Sequence, residues 1–197
     1  MKIRTKRAVL LAALLFFLAA ALGLSLLLGP APTGIGDLWA FLVHGDRTFA
    51  TIFLDLRLCR ALLAFLVGAC LSLSGAILQG YFQNPLADPF VVGVSSGASF
   101  GAVLYLALGL RTIAFGLPVQ GLFAFATGFG LVIAVYLLSR RRSVFKVETL
   151  LLTGISAGAL ASSLTSFLLF LRSDSFEQAV FWLLGSVQLA DWRQVLA

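Results

Sequence analysis

Charged residues make up only 11% of this 197-residue chain, while 60% of it is hydrophobic. A soluble domain usually carries about a quarter charged residues. That shortage excludes folding around a single water-screened core and puts the membrane class first. Lysine is scarcer still. Lys2, Lys6 and Lys146 are the only three, and none stands in a Gly-x4-Gly-Lys-[Ser/Thr] loop, so ATP is not bound by that route. The single histidine is His44, and the two cysteines, Cys59 and Cys70, have no metal-type spacing. No metal site is expected, and no cofactor in this chain. The two cysteines fall on one predicted helix with diverging directions, so no disulfide is expected either. No apolar run alternates polar with apolar, and all are too long for barrel strands.

The 14 basic residues outnumber the 8 acidic ones. They cluster at the edges of apolar runs instead of along a polar face, so nucleic acid is not the implied partner; a lipid bilayer is. Five runs are long enough to span: about 8–29, 61–80, 90–110, 113–139 and 148–171. Each charge at a helix centre would cost about 2.5–3.5 kcal/mol, and these runs carry none apart from Glu148 at the very start of the last. The fold class is therefore an all-α polytopic bundle, one transmembrane domain over 1–197. The basic start followed by an apolar run also mimics a signal peptide, but the run is long for a signal core and is read as a retained first helix.

Lys2, Arg4, Lys6 and Arg7 precede the first run; Arg140, Arg141, Arg142 and Lys146 follow the fourth. Both clusters belong on the cytoplasmic side, with the N-terminus inside. "GDLWAFLVHG" reads as an interfacial helix anchored by Trp39, and a second lies at about 175–185. A sixth spanning helix starts at Asp191, with Gln194 placed as in a capping box. It has barely begun at Ala197, so the chain is expected to be the N-terminal part of a longer protein.

Between the second and third runs stands a polar hairpin, Asn84-Pro85-Leu86-Ala87-Asp88-Pro89. Asn84-Pro85 stops one helix, because the residue before proline avoids helical angles. Asp88 caps the next, and Pro89 suits its first position. The next run carries Gly93, Gly97 and Gly101 at steps of four; the fifth repeats the device with Gly154, Gly158, Ser162 and Ser166. Such stripes either let helices approach closely or line a pathway with small, weakly polar groups. "GVSSG" also fits Gly-x-Ser-x-Gly with Ser95 as nucleophile, but that motif needs a strand-to-helix turn and a histidine base. Arg57 and Arg60 lie just before the second run on its outer side. They either snorkel at the interface or stand exposed to receive a partner's carboxylates.

The string from Arg57 to Gly101, "RLCRALLAFLVGACLSLSGAILQGYFQNPLADPFVVGVSSGASFG", resembles the membrane permeases of bacterial ABC importers for iron chelates (siderophores), haem and cobalamin. "LLLTGISAGALASSLTSFLLFL" and "FWLLGSVQLADWRQV" resemble the same family in the same order. The resemblance implies ten helices per subunit, a homodimer around a central pathway, and a place in the bacterial inner membrane. It implies an extracytoplasmic substrate-binding protein, and separate ATPase subunits that bind the ATP; the chain itself is then no enzyme. It assigns Arg57 and Arg60 to docking of the binding protein, with Cys59 where the family's Arg-Leu-Pro-Arg has proline. It puts Glu148, Thr149 and Thr153 near an inner gate. The competing class is a secondary transporter or channel without an ATPase, which would want ionisable groups inside its spans.

Overall fold

A computed structural model describes residues 2–29, 33–45, 47–110, 113–114, 117–140, 147–172, 176–188 and 190–196. Arg111, Arg141, Arg142 and Lys146, and the side chains of Lys2 and Gln194, lie outside the described parts. The chain is helical nearly throughout. It runs through α1 (Lys2–Leu27), α2 (Ile35–His44), α3 (Arg47–Ala50), a π-helical segment (Thr51–Leu58), α4 (Cys59–Phe82), a 3-10 turn (Pro89–Val92), α5 (Val94–Ala107), α6 (Val119–Arg140), α7 (Val147–Leu171), α8 (Phe176–Leu184) and α9 (Trp192–Leu196). Two-residue strands, Ile113–Ala114 and Leu117–Pro118, pair antiparallel ahead of α6. Among the described residues, four helices are long and apolar enough to cross a membrane: Arg4–Leu27, Thr51–Phe82, Val119–Arg140 and Val147–Leu171.

Three boundaries differ from those read off the sequence. The run at 90–110 is not one full-length helix. Asp88 does cap it, its Oδ1 accepting from Phe90 N at 2.8 Å, but the capped element is the 3-10 turn. Gly93 then takes a left-handed conformation (φ 89°, ψ 7°), which an L side chain resists and glycine does not. Helix α5 starts after this break and has 14 residues. At 1.5 Å per residue it is about 21 Å long, short of a hydrocarbon core of about 30 Å. Second, within the apolar run from 113 the helix itself begins at Val119, right after Pro118, as that proline implies; proline pre-sets an entry angle but contributes no N–H to what precedes it. Third, the helix expected from 61 is already wound by Arg47 and passes through the π segment. Cys59 N–H donates to Leu54 O there, a five-residue step that a proline at 59 would have no N–H to make.

The chain divides into two compact units, 1–67 with 187–197, and 68–186. In the first, α1 turns Leu11, Phe16 and Phe17 outward along its length, as a lipid-facing helix does. In the second, α5 packs against α6 and α7. Val92, Val135 and Leu150 form its buried cluster, with Phe82, Val132 and Ala157 against it. Ser139 and Thr165 are buried there too, each donating to a carbonyl of its own helix, Val135 O at 2.7 Å and Ala161 O at 2.8 Å. Self-satisfied hydroxyls of this kind suit a helix without water around it.

Candidate functional site

In the first unit, the π segment carries Arg57 beside the end of α1. Its Nη1 donates to Leu26 O at 2.6 Å and to Leu27 O at 3.1 Å. These are carbonyls of the last turn, which no helical N–H can reach, and a cation there also meets the negative end of the helix dipole. The guanidinium carbon lies 5.3 Å from the Phe53 ring centroid, a cation–π distance. Gly29 makes the contact possible: a Cβ built on it would stand 3.0 Å from Arg57 Nε and 3.1 Å from Nη2. Arg57 is 6% exposed. The expectation that both guanidinium groups stand exposed is therefore overturned for Arg57, because a nearer set of acceptors, the last-turn carbonyls of α1, takes it inward.

Arg60 differs. It is half-buried, and its Nε is buried with no hydrogen-bond partner among the described residues. Arg57 and Arg60 line one cavity of about 230 Å³ with Ser25, Leu28, Ile52 and Leu56. One further polar contact belongs to this unit: Trp192 Nε1 donates to Asp55 Oδ1 at 3.0 Å, joining α9 to the π segment.

In the second unit, the hairpin is built as its residues suggest. Asn84 Oδ1 accepts from Leu86 N at 2.9 Å, and Ala87 N donates to Asn84 O at 3.1 Å. Pro85 sits in this turn, Pro89 opens the 3-10 turn, and Leu86 is 87% exposed at the tip. Just beyond it, the glycines of α5 meet backbone. A Cβ on Gly97 would lie 3.0 Å from Gly128 Cα; one on Gly101 would overlap the Thr127 hydroxyl and come within 2.6 Å of Phe123 O. Gly93 faces Gly154 O, and a Cβ on Gly154 would be 2.9 Å from Val91 O. Gly158 is buried against Gly93 and Ser96. The five glycines of the two stripes thus form close helix contacts.

The serines behave otherwise. Ser162 and Ser166 are exposed on α7. Ser162 reaches Ser96 Oγ at 3.3 Å, and Ser166 donates back to Ser162 O at 3.1 Å. Ser95 is half-buried in the first turn of α5; a 3-10 turn precedes it, not the strand a nucleophile elbow needs. Glu148 is exposed in the first turn of α7, while Thr149 is half-buried and its carbonyl accepts from Thr153 Oγ1 at 2.7 Å. Sequence reading passed over Gly128 and Thr127, the counterparts of the α5 glycines. It also passed over Phe53, Asp55 and Trp192, which hold the π segment. Gly128 has no glycine four steps away in α6, only Ala124, a weaker signal than the glycine stripes of α5 and α7. Among the described residues no group of His, Cys, Asp and Glu is placed to hold a metal ion.

A sequence profile of the FecCD transport family matches residues 14–197. The chain is 40% identical over 152 residues to the ABC transporter permease protein YvrB of Bacillus subtilis, covering 77% of this chain and 43% of that one. It is 38% identical over 151 residues to the cobalamin import system permease protein BtuC of Halobacterium salinarum, covering 77% and 40%. It is 42% identical over 147 residues to the achromobactin transport system permease protein CbrC of Dickeya dadantii, covering 74% and 41%. A solved structure described as an inward-facing conformation of a metal-chelate type ABC transporter superposes with a TM-score of 0.76 at 31% identity, over 95% of this chain and 56% of that one. The chain spans less than half the length of these three curated relatives.

Proposed function

The chain belongs to the FecCD transport family, and on that basis we propose that it forms part of the transmembrane pathway of an ABC importer for an iron chelate, a siderophore or haem, or for cobalamin. The observation that carries this reading is the family match over residues 14–197. The names of the relatives, which include a cobalamin and an achromobactin permease, support the substrate class. In this reading a second permease copy completes the pathway in the bacterial inner membrane, with the N-terminus cytoplasmic. Two ATPase subunits bind and hydrolyse ATP on the inside, so this chain makes no covalent chemistry and holds no cofactor. A soluble binding protein delivers the chelate from outside and docks at the arginine cleft. Glu148, Thr149 and Thr153 stand near the inner gate, and Ser95, Ser162 and Ser166 contribute hydroxyls beside the pathway.

What the permease has to supply is a difference in stability between two packings, which ATP in the partner then biases. Glycine contacts such as Gly97 against Gly128 support that task, since backbone surfaces shift without repacking long side chains. The test is reconstitution of the permease bearing this chain with its ATPase and binding protein in lipid nanodiscs. ATP hydrolysis is then measured with a ferric siderophore, haem or cobalamin. Stimulation by one chelate is expected. Uptake that persists without any nucleotide-hydrolysing subunit would refute the reading in favour of an ion-coupled carrier.

A further inference from the structure

We propose that the N-terminal end of α1 binds one anionic phospholipid, with the phosphate on Lys6 and an acyl chain in the groove below it. Lys6 stands at the head of a cavity of about 410 Å³ whose other walls are Thr5, Val9, Leu10 and Ala13. At 3.6 residues per turn these positions share one face of the helix. Ala13 is half-buried and forms the floor, between the exposed side chains of Val9 and Leu10. Phe17, one turn beyond Ala13, continues the face and meets Phe16 edge-on, with ring centroids 6.0 Å apart. From Lys6 to Phe17 is eleven steps of about 1.5 Å, or about 16 Å. That is close to half of a hydrocarbon core of about 30 Å. The face is therefore one leaflet long, with its cation at the headgroup end.

Charge selects the ligand. Arg4, Lys6 and Arg7 are exposed, and no acidic residue precedes Asp37 in the chain. Nothing within α1 neutralises them. Lys6 comes two residues before the apolar run that starts at Ala8, where a lysine lays its stem on apolar surface and keeps its ammonium in the polar layer. A free phosphate ion would use that ammonium and none of the wall; a phospholipid uses both. Among the described residues no protein segment takes the place. The apolar window of α1 is 0% buried, against 6%, 17% and 22% for the other three spanning helices. Assigning the lipid to the inner leaflet rests on the cytoplasmic N-terminus proposed above; the groove and its cation do not.

The experiment uses the full permease bearing this chain, purified in detergent and offered equal amounts of dioleoylphosphatidylglycerol and dioleoylphosphatidylcholine. Native mass spectrometry reads which lipid stays bound. The wild type should retain the glycerol lipid preferentially. Lys6→Gln should lower that retention by about fivefold, the factor one cation contributes near an anionic surface, and leave the choline lipid unchanged. Lys6→Arg should match the wild type. Arg4→Gln removes the same charge, but position 4 lies about 160° round the helix from Lys6, so the preference should survive. Ala13→Phe fills the floor and should lower retention of both lipids. Equal losses for Lys6→Gln and Arg4→Gln would mean diffuse attraction and overturn the site. So would displacement of the lipid by inorganic phosphate, or Ala13→Phe with wild-type retention. An unfolded Ala13→Phe permease would show that another helix of the longer protein covers this face, which also overturns the proposal. Retention in detergent does not depend on orientation. A reversed topology would therefore move the lipid to the other leaflet and leave the Lys6 result standing.

Discussion

Replacing Gly101 by alanine adds one methyl group at the tightest point of the α5–α6 contact. The new Cβ would overlap the Thr127 hydroxyl, lie 2.9 Å from Thr127 Cβ and stand 2.6 Å from Phe123 O. Rotating Thr127 moves the hydroxyl, at the cost of its bonds to Phe123 O (2.7 Å) and Ala124 O (3.1 Å). Phe123 O is backbone and has nowhere to turn. Carbon needs roughly 3.5 Å, so the helices must part locally by about 1 Å. A gap of 0.5–1 Å forfeits about a quarter to a half of each dispersion well, and overpacking of this kind costs about 1–3 kcal/mol. Gly121 on α6 is the internal control, since nothing lies within 4 Å of its Cβ direction. There alanine should be neutral, or gain from helix propensity by up to about 1 kcal/mol. Reversible unfolding in bicelles, read by steric trapping, measures both. Adding Thr127→Ala to Gly101→Ala should recover part of the loss and leave the Phe123 share. If Gly101→Ala and Gly121→Ala behave alike, close approach does not hold α5 on α6.

Gly97→Leu should be worse than Gly101→Ala, because a whole side chain must enter where a Cβ already stands 3.0 Å from Gly128 Cα; the same trapping assay reads it, and wild-type stability contradicts it. Asp88→Ala removes the acceptor of the Phe90 N–H and should cost about 0.5–2 kcal/mol, with Asp88→Asn near wild type; equal exchange rates at Phe90 in all three proteins would count against the cap. A cysteine placed at the exposed Leu86 should react with an impermeant maleimide in inside-out vesicles only; labelling in intact cells would reverse the proposed orientation.

The parts of the structure that could be read from the sequence are those fixed locally. Uncharged runs gave the spanning helices at 119–140 and 147–171 to within a few residues, apart from the start of α6. Asn84 and Asp88 bond to backbone two residues on, so their roles are written in the hairpin itself. The four-step glycines were visible as a stripe, but not their partners. What stayed hidden depends on residues far apart in the chain. The π segment is anchored by Arg57 on carbonyls 30 and 31 residues away and by Asp55 on an indole 137 residues away. No window of local sequence contains those partners, so Arg57 and Arg60, three apart, looked equivalent. Gly93 read as one more packing glycine, yet its positive φ ends the 3-10 turn and shortens the helix that follows.

The two kinds of contact also respond differently to force. At Gly154 the neighbours are backbone atoms, and at Gly97 they are backbone atoms and the Cβ of Leu131; attraction there is short-ranged dispersion with weak Cα–H···O contacts. Sliding one such surface past another exchanges like contacts for like, so two registers of similar energy are within reach. The clamp that Arg57 places on the end of α1 has no second register of that sort. Moving α1 away takes two acceptors from one buried cation at once, and losing a partner of a buried charged group costs more than the bond itself contributes. A permease that alternates between two packings is therefore expected to place its motion along the glycine faces and keep the end of α1 with the π segment through the cycle. Distances between spin labels on α5 and α7 should change with nucleotide, while hydrogen-exchange protection at the Leu28 amide should not; protection that falls on ATP binding would show the clamp opening and refute this assignment of moving and fixed contacts.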